Sequence, residues 1–219
     1  MQLEIIYNQK QRNKVNKCIN DWDYGTNCME LHNKCVLPFG KQVGYVKDVP
    51  AFSNCDNEVI AKDSNFILIN EKKPIITGMK WQCVEFARRY LITKLGVSFK
   101  DVDSAEEIWY LGHVNSTINN KKHIFKSYMN GIFNDNTNMP IEHDIIIWAK
   151  HDPNIPYGHI AVILKVENHQ IFIGEQNWYN GDWCHETYSR ILRLKKGLGN
   201  SLEIVDNDHK ILGWMRVIF

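Results

Sequence analysis

No stretch of about 18 apolar residues occurs in the 219-residue sequence. The N-terminus, MQLEIIYNQKQRNKVNKC, has neither an apolar run of signal-peptide length nor a small-residue cleavage site. The expectation is a cytoplasmic chain that does not use the membrane. Charge of one sign is missing too: 26 Lys and Arg face 25 Asp and Glu, for a net charge of +1. That balance lacks the basic footprint of a dedicated nucleic-acid binder. Paired cysteine motifs are also absent. The six cysteines (Cys18, Cys28, Cys35, Cys55, Cys83 and Cys184) include no Cys-x-x-Cys and are irregularly spaced. A chain of this length closes a core without staples, so reduced thiols are expected. No internal repeat is visible.

What is present is an ordinary globular composition, with 44% apolar and 23% charged residues. Residues 1–36 are rich in Asn, Lys and Gln and read as an N-terminal extension; apolar runs recur through residues 37–219, read as one domain. Cys28, His32 and Cys35 cluster in the extension, but their spacing fits no common structural zinc site, so no metal and no cofactor is expected. The Asn-rich tract from Asn130 to Pro140 reads as a loop. From Gln82 to Leu95 the apolar residues fall at helical spacing, and Gly96 supplies the stop. Ser104 to Glu107 forms a capping box that opens a second helix through about Leu111. After residue 140 the period changes to short strand-like runs: Ile145 to Trp148, His159 to Val166, Gln170 to Gln176 and Ile211 to Ile218. Helices followed by strands predict an α+β domain with an antiparallel sheet.

Within GMKWQCVEFARRYL (Gly78 to Leu91), Cys83 sits in the first helical turn, where unpaired N–H groups and the macrodipole favour a thiolate. The same position suits a small buried hydrophobe. A thiolate that attacks an amide needs a base. Of nine histidines, eight sit in polar or turn surroundings and read as solvated. His159 instead follows Pro156-Tyr157-Gly158 and opens the most apolar strand. The imidazole then needs an orienting acceptor, and Glu175 or Asn177 qualifies. An odd-numbered loop at Glu167–His169 pairs Val166 with Gln170, placing Glu175 on the face of His159; an even loop puts it on the opposite face.

These residues, with IIIWAK, YGHIAVI, GEQNW, ILGWM and the earlier PFGKQVGY and AFSN, resemble the CHAP group of papain-like (NlpC/P60) cysteine amidases. The resemblance covers roughly residues 37–219 and includes the amidase domains of glutathionylspermidine synthetase/amidase and trypanothione synthetase. It implies a papain-like fold with the nucleophile at the N-terminus of a helix packed on an antiparallel β-sheet. Cys83 would be the nucleophile, His159 the general base and acid, and Glu175 the residue that orients the imidazole. Gln82 would help the Cys83 N–H form an oxyanion hole. Arg88 takes a position associated with substrate binding, although helical geometry turns it away from Cys83 and equally suggests a solvated side chain.

The implied reaction is hydrolysis of a glutathione–polyamine conjugate such as glutathionylspermidine through a Cys83 thioester, without ATP-dependent synthesis because no ligase half follows Phe219. The partner is then a small molecule. Trp81, Trp178, Asn177 and Asp182 are candidates for contact with it. Two alternatives remain open at this point: cleavage of peptidoglycan cross-links, and a non-catalytic module that binds polyamine or peptide.

Overall fold

The computed structural model describes residues 37–56, 59–69, 73–132, 138–151, 153–197 and 201–219. The extension and its Cys28–His32–Cys35 cluster lie outside these residues. Two hairpins come first: β1 (Gln42–Val46) with β2 (Val49–Phe52), and β3 (Ser64–Ile69) with β4 (Lys73–Met79). Helix α1 follows at Cys83–Leu95. Then come β5 (Val97–Ser98), a 3₁₀ helix at Ala105–Tyr110, β6 (His113–Ser116), β7 (Lys122–Met129), β8 (Ile145–Trp148), β9 (His159–Glu167), β10 (Gln170–Gly174), β11 (Arg190–Lys196), β12 (Leu202–Val205) and β13 (Ile211–Ile218).

Nine strands form one antiparallel sheet in the order β12-β11-β10-β9-β8-β13-β7-β6-β5. The α+β expectation agrees with this sheet-rich body, but the order of helices before strands does not. Among the described residues, four strands precede α1. β3 leaves Phe66 and Leu68 exposed and so lacks the apolar alternation of a half-buried strand.

Both faces of the central strands are covered. Ile145, Ile147, Ile160 and Val162 pack with Phe86, Ala87, Tyr90 and Leu91 of α1. Ile146, Trp148, Ala161 and Ile163 pack on the other face with Ile171, Ile173 and Trp214. Two-sided burial explains why β8 and β9 read as continuous apolar runs. Gly96 ends α1 in the left-handed conformation at φ 66°, and its N–H bonds to the Ile92 and Leu91 carbonyls.

Three expectations need correction. The Ser104 capping box does not form, because Glu107 accepts from the Asp103 N–H instead; the segment that follows is 3₁₀, not α. Cys55 and Cys184 are each disulfide-bonded rather than reduced. Sequence spacing conceals this, since bridging depends on distance in space. Finally, His143 and His209 are half-buried rather than solvated: His143 Nδ1 lies 2.8 Å from the Tyr90 hydroxyl, and the His209 ring abuts Trp178.

Candidate active site

Cys83 is the first residue of α1, with Gln82 extended as its N-cap, and it is a half-exposed free thiol. Four N–H groups at such an end lack helical partners, so an anion there is stabilised. His159 is the first residue of β9, at the end of the sheet, where its ring reaches the Cys83 side chain. The ring Nε2 lies 2.9 Å from Glu175 Oε2. His159 and Glu175 are each only 2% exposed.

The route by which Glu175 reaches that face differs from the sequence expectation. Glu167 pairs with Gln170, so the hairpin loop has two residues, Asn168 and His169, both with positive φ. An even loop turns Glu175 away from His159. The register then shifts: Phe172 pairs with Lys165, but Ile173 pairs with Ile163, leaving Leu164 as a bulge. One extra residue on β9 restores the parity that the loop removed. Extending the shifted register by one residue places Glu175 opposite Ala161, on the side of Ile171 and Ile173.

Burial alone would push His159 down, but the Cys83 charge and hydrogen bond, followed by those of Glu175, outweigh it and raise its pKa to about 9. Burial likewise pushes Glu175 up, and the Arg190 charge and the bond to His159 overcome this and lower it to about 2. The geometry therefore favours a protonated imidazole between a sulfur and a carboxylate at neutral pH.

Arg190, at the start of β11, was not singled out in the sequence. Its Nε donates to Glu175 Oε1 at 2.7 Å and its Nη2 to Oε2 at 3.2 Å. Ser189 Oγ donates to the same carboxylate at 3.1 Å. Trp178, expected as a substrate contact, packs on this pair, its ring 4.5 Å from the His159 ring and 4.4 Å from the Arg190 guanidinium.

Gln82 and Asn177 come together: Asn177 Nδ2 donates to Gln82 Oε1 at 2.8 Å, and Gln82 Nε2 donates to the Val59 carbonyl at 3.1 Å. Trp81 packs on Phe52 in a tilted contact at 4.2 Å, next in the chain to Gln82, whereas Asp182 is exposed. Arg88 is neither solvated nor joined to the Cys83–His159–Glu175 group. It is 3% exposed, donates to the Thr77 and Lys100 carbonyls at 2.9 and 3.0 Å, and pairs with Asp101.

A second buried network was also missed. Glu85, fully buried, accepts from Asn65, Thr77, Arg89 and Gln176, and Arg89 also donates to the Pro50 carbonyl. Gln176 in turn donates to the Gln82 carbonyl at 3.3 Å, so the network braces the start of α1 against the residue that follows Glu175. The signal available was two adjacent charges, Glu85 and Arg89, at i and i+4 on a helix otherwise facing the core.

Residues 75–177, which contain Cys83, His159 and Glu175, match the CHAP domain family. The chain carries a CHAP domain. It is also 30% identical over 185 residues to the bifunctional glutathionylspermidine synthetase/amidase of Escherichia coli (strain K12), an alignment that covers 81% of this chain and 29% of that protein. Trypanothione synthetase of Crithidia fasciculata is 31% identical over 185 residues, covering 82% of this chain and 26% of the relative. Glutathionylspermidine synthase of the same organism is 30% identical over 149 residues, covering 64% and 19%. This CHAP chain thus spans less than a third of the curated relatives it matches.

Proposed function

We propose that this CHAP protein is a papain-like cysteine amidase that hydrolyses the amide of a glutathione–polyamine conjugate such as glutathionylspermidine. The observation that carries the reading is the line from the accessible Cys83 at the start of α1 to the buried pair His159 and Glu175. The names of the relatives, which join an amidase to glutathionylspermidine, supply the substrate class.

In the proposed reaction the Cys83 thiolate attacks the amide carbonyl carbon. The oxyanion accepts from the Cys83 backbone N–H and from the Gln82 Nε2 hydrogen not given to Val59. As the C–N bond breaks, His159 gives its proton to the leaving amine, and a thioester remains on Cys83. Neutral His159 then takes a proton from water, whose oxygen attacks the thioester carbonyl. The thiolate leaves, and a free carboxylate is released. Glu175 holds the imidazole and favours its charged form throughout.

A second reading, cleavage of peptidoglycan cross-links, is favoured by one observation: Cys55 and Cys184 are each disulfide-bonded, and such bonds persist in oxidising compartments. The deciding experiment measures release from glutathionylspermidine, trypanothione and muropeptides, with Cys83→Ala as control. Release of glutathione from the first two, lost in Cys83→Ala while the circular dichroism spectrum is kept, supports the first reading. New amino termini from muropeptides alone would replace it with the second. Equal rates for Cys83→Ala and the parent would end both.

A further inference from the structure

The carboxylate of the proposed triad is held by more than the histidine. Arg190 grips both oxygens of Glu175, while its Nη1 lies 3.3 Å from Asp206 Oδ2. Asp206 is fixed in turn by the Trp148 indole N–H at 2.9 Å and by accepting from the backbone N–H groups of Asp208 and His209. The guanidinium lies against both the Trp148 and Trp178 rings, 5.3 and 4.4 Å from their centroids. Those same two rings contact His159, at 5.3 and 4.5 Å. The other groups within electrostatic reach of Arg190 are Tyr179 and His209. A buried carboxylate with only an imidazole for company can take the proton itself, which would leave the imidazole neutral and its orientation loose. A guanidinium fork on both oxygens opposes this, because it accepts only the ionised form and fixes the plane of the carboxylate.

Resting on the reading of Cys83, His159 and Glu175 as the reacting group, we infer that Arg190 is a positioning residue that keeps Glu175 ionised and aimed at His159, with Asp206 anchoring Arg190 from behind. The arrangement extends the triad into a buried line of alternating charge: His159, Glu175, Arg190, Asp206. Arg190 acts through Glu175 and does not touch the reacting atoms. Bringing it to the site is the work of β11, which pairs Arg190 with Ile173, two residues before Glu175.

The test uses the full chain and two readouts: the pH profile of kcat/KM for the cleaved amide, and the pH dependence of Cys83 alkylation by iodoacetamide, which needs no knowledge of the substrate. Losing a neighbouring positive charge raises a carboxyl pKa by about 1–3 units. Arg190→Gln is therefore expected to move the acidic limb of both profiles upward by about one pH unit or more and to lower kcat about tenfold, with KM little changed. Arg190→Lys keeps the charge and recovers most of the limb position, though not the full kcat. Asp206→Asn gives a smaller shift in the same direction and serves if Arg190→Gln fails to fold. In a Glu175→Gln background, Arg190→Gln produces no further shift. A uniform loss at every pH, or an equal shift without the Glu175 carboxyl, overturns the inference and leaves Arg190 a packing residue. A parent enzyme whose Cys83 alkylates like an ordinary thiol overturns the reading of the site itself, a separate outcome.

Discussion

His159 Nε2 meets Glu175 Oε2 at 2.9 Å across a hairpin whose two-residue loop, taken alone, would set them on opposite faces; the bulge at Leu164 brings them together. Within this pair the protonated imidazole is stabilised on one side by the carboxylate and on the other by Cys83.

A first prediction concerns pH. The ion pair that needs His159 charged holds below its pKa of about 9 and is lost above it, so kcat/KM falls on the alkaline side near that value. Glu175→Gln removes one of the groups that raise His159 and moves this limb down by about one unit or more. Stability follows the same signs. The raised His159 contributes fully below its ordinary 6.5, and that contribution disappears as pH rises through about 9. The lowered Glu175 contributes above its ordinary 4.5, and its share disappears as pH falls through about 2. Thermal midpoints of parent and Glu175→Gln from about pH 2 to about pH 10 check both; profiles that stay parallel throughout would contradict the coupling.

Gly158 immediately precedes His159 and adopts φ +69°, and a Cβ there would lie 2.6 Å from the Trp148 carbonyl oxygen. Gly158→Ala is expected to destabilise by about 1–3 kcal/mol and to displace the imidazole. Activity should fall further than stability alone explains. Denaturant titration together with kcat at a temperature where the variant is folded separates the two effects.

Glu85 and Arg89 form a buried pair 2.7 Å apart with nearly all of its hydrogen-bonding capacity used. Removing one partner, as in Arg89→Met, leaves an uncompensated buried charge and costs about 3–5 kcal/mol. The double variant Glu85→Leu with Arg89→Met recovers part of that loss. Urea midpoints for the three variants check it, and a double variant no better than Arg89→Met would refute pairwise compensation.

Arg88 clamps α1 to β4 and to the segment after β5 through the Thr77 and Lys100 carbonyls. Arg88→Ala is expected to lower stability by about 1–3 kcal/mol while KM for the amide substrate stays within about twofold. A rise in KM with unchanged stability would instead make Arg88 a substrate contact.

The helix that begins at Cys83 was legible because apolar spacing and a terminal glycine are local signals, and the same holds for β8, β9 and β13, whose runs stand out by composition. His159 stood out as a polar residue opening an apolar strand. Hairpins β1–β2 and β3–β4 were less visible, since β1 and β2 are only five and four residues long and β3 carries exposed Phe66 and Leu68. Arg190 and the Glu85–Arg89–Gln176 network left little trace, because a charged residue looks solvated until tertiary contacts supply its partners.

The sequence by itself determined the residue types, their order and the helix start that suits a thiolate, because these follow from local chemistry and spacing. Only the tertiary structure decided that Glu175 faces His159 and that Arg190 holds it there. Side-chain parity changes with a single bulged residue, and the partner of a buried charge is fixed by which strands lie adjacent, not by distance along the chain.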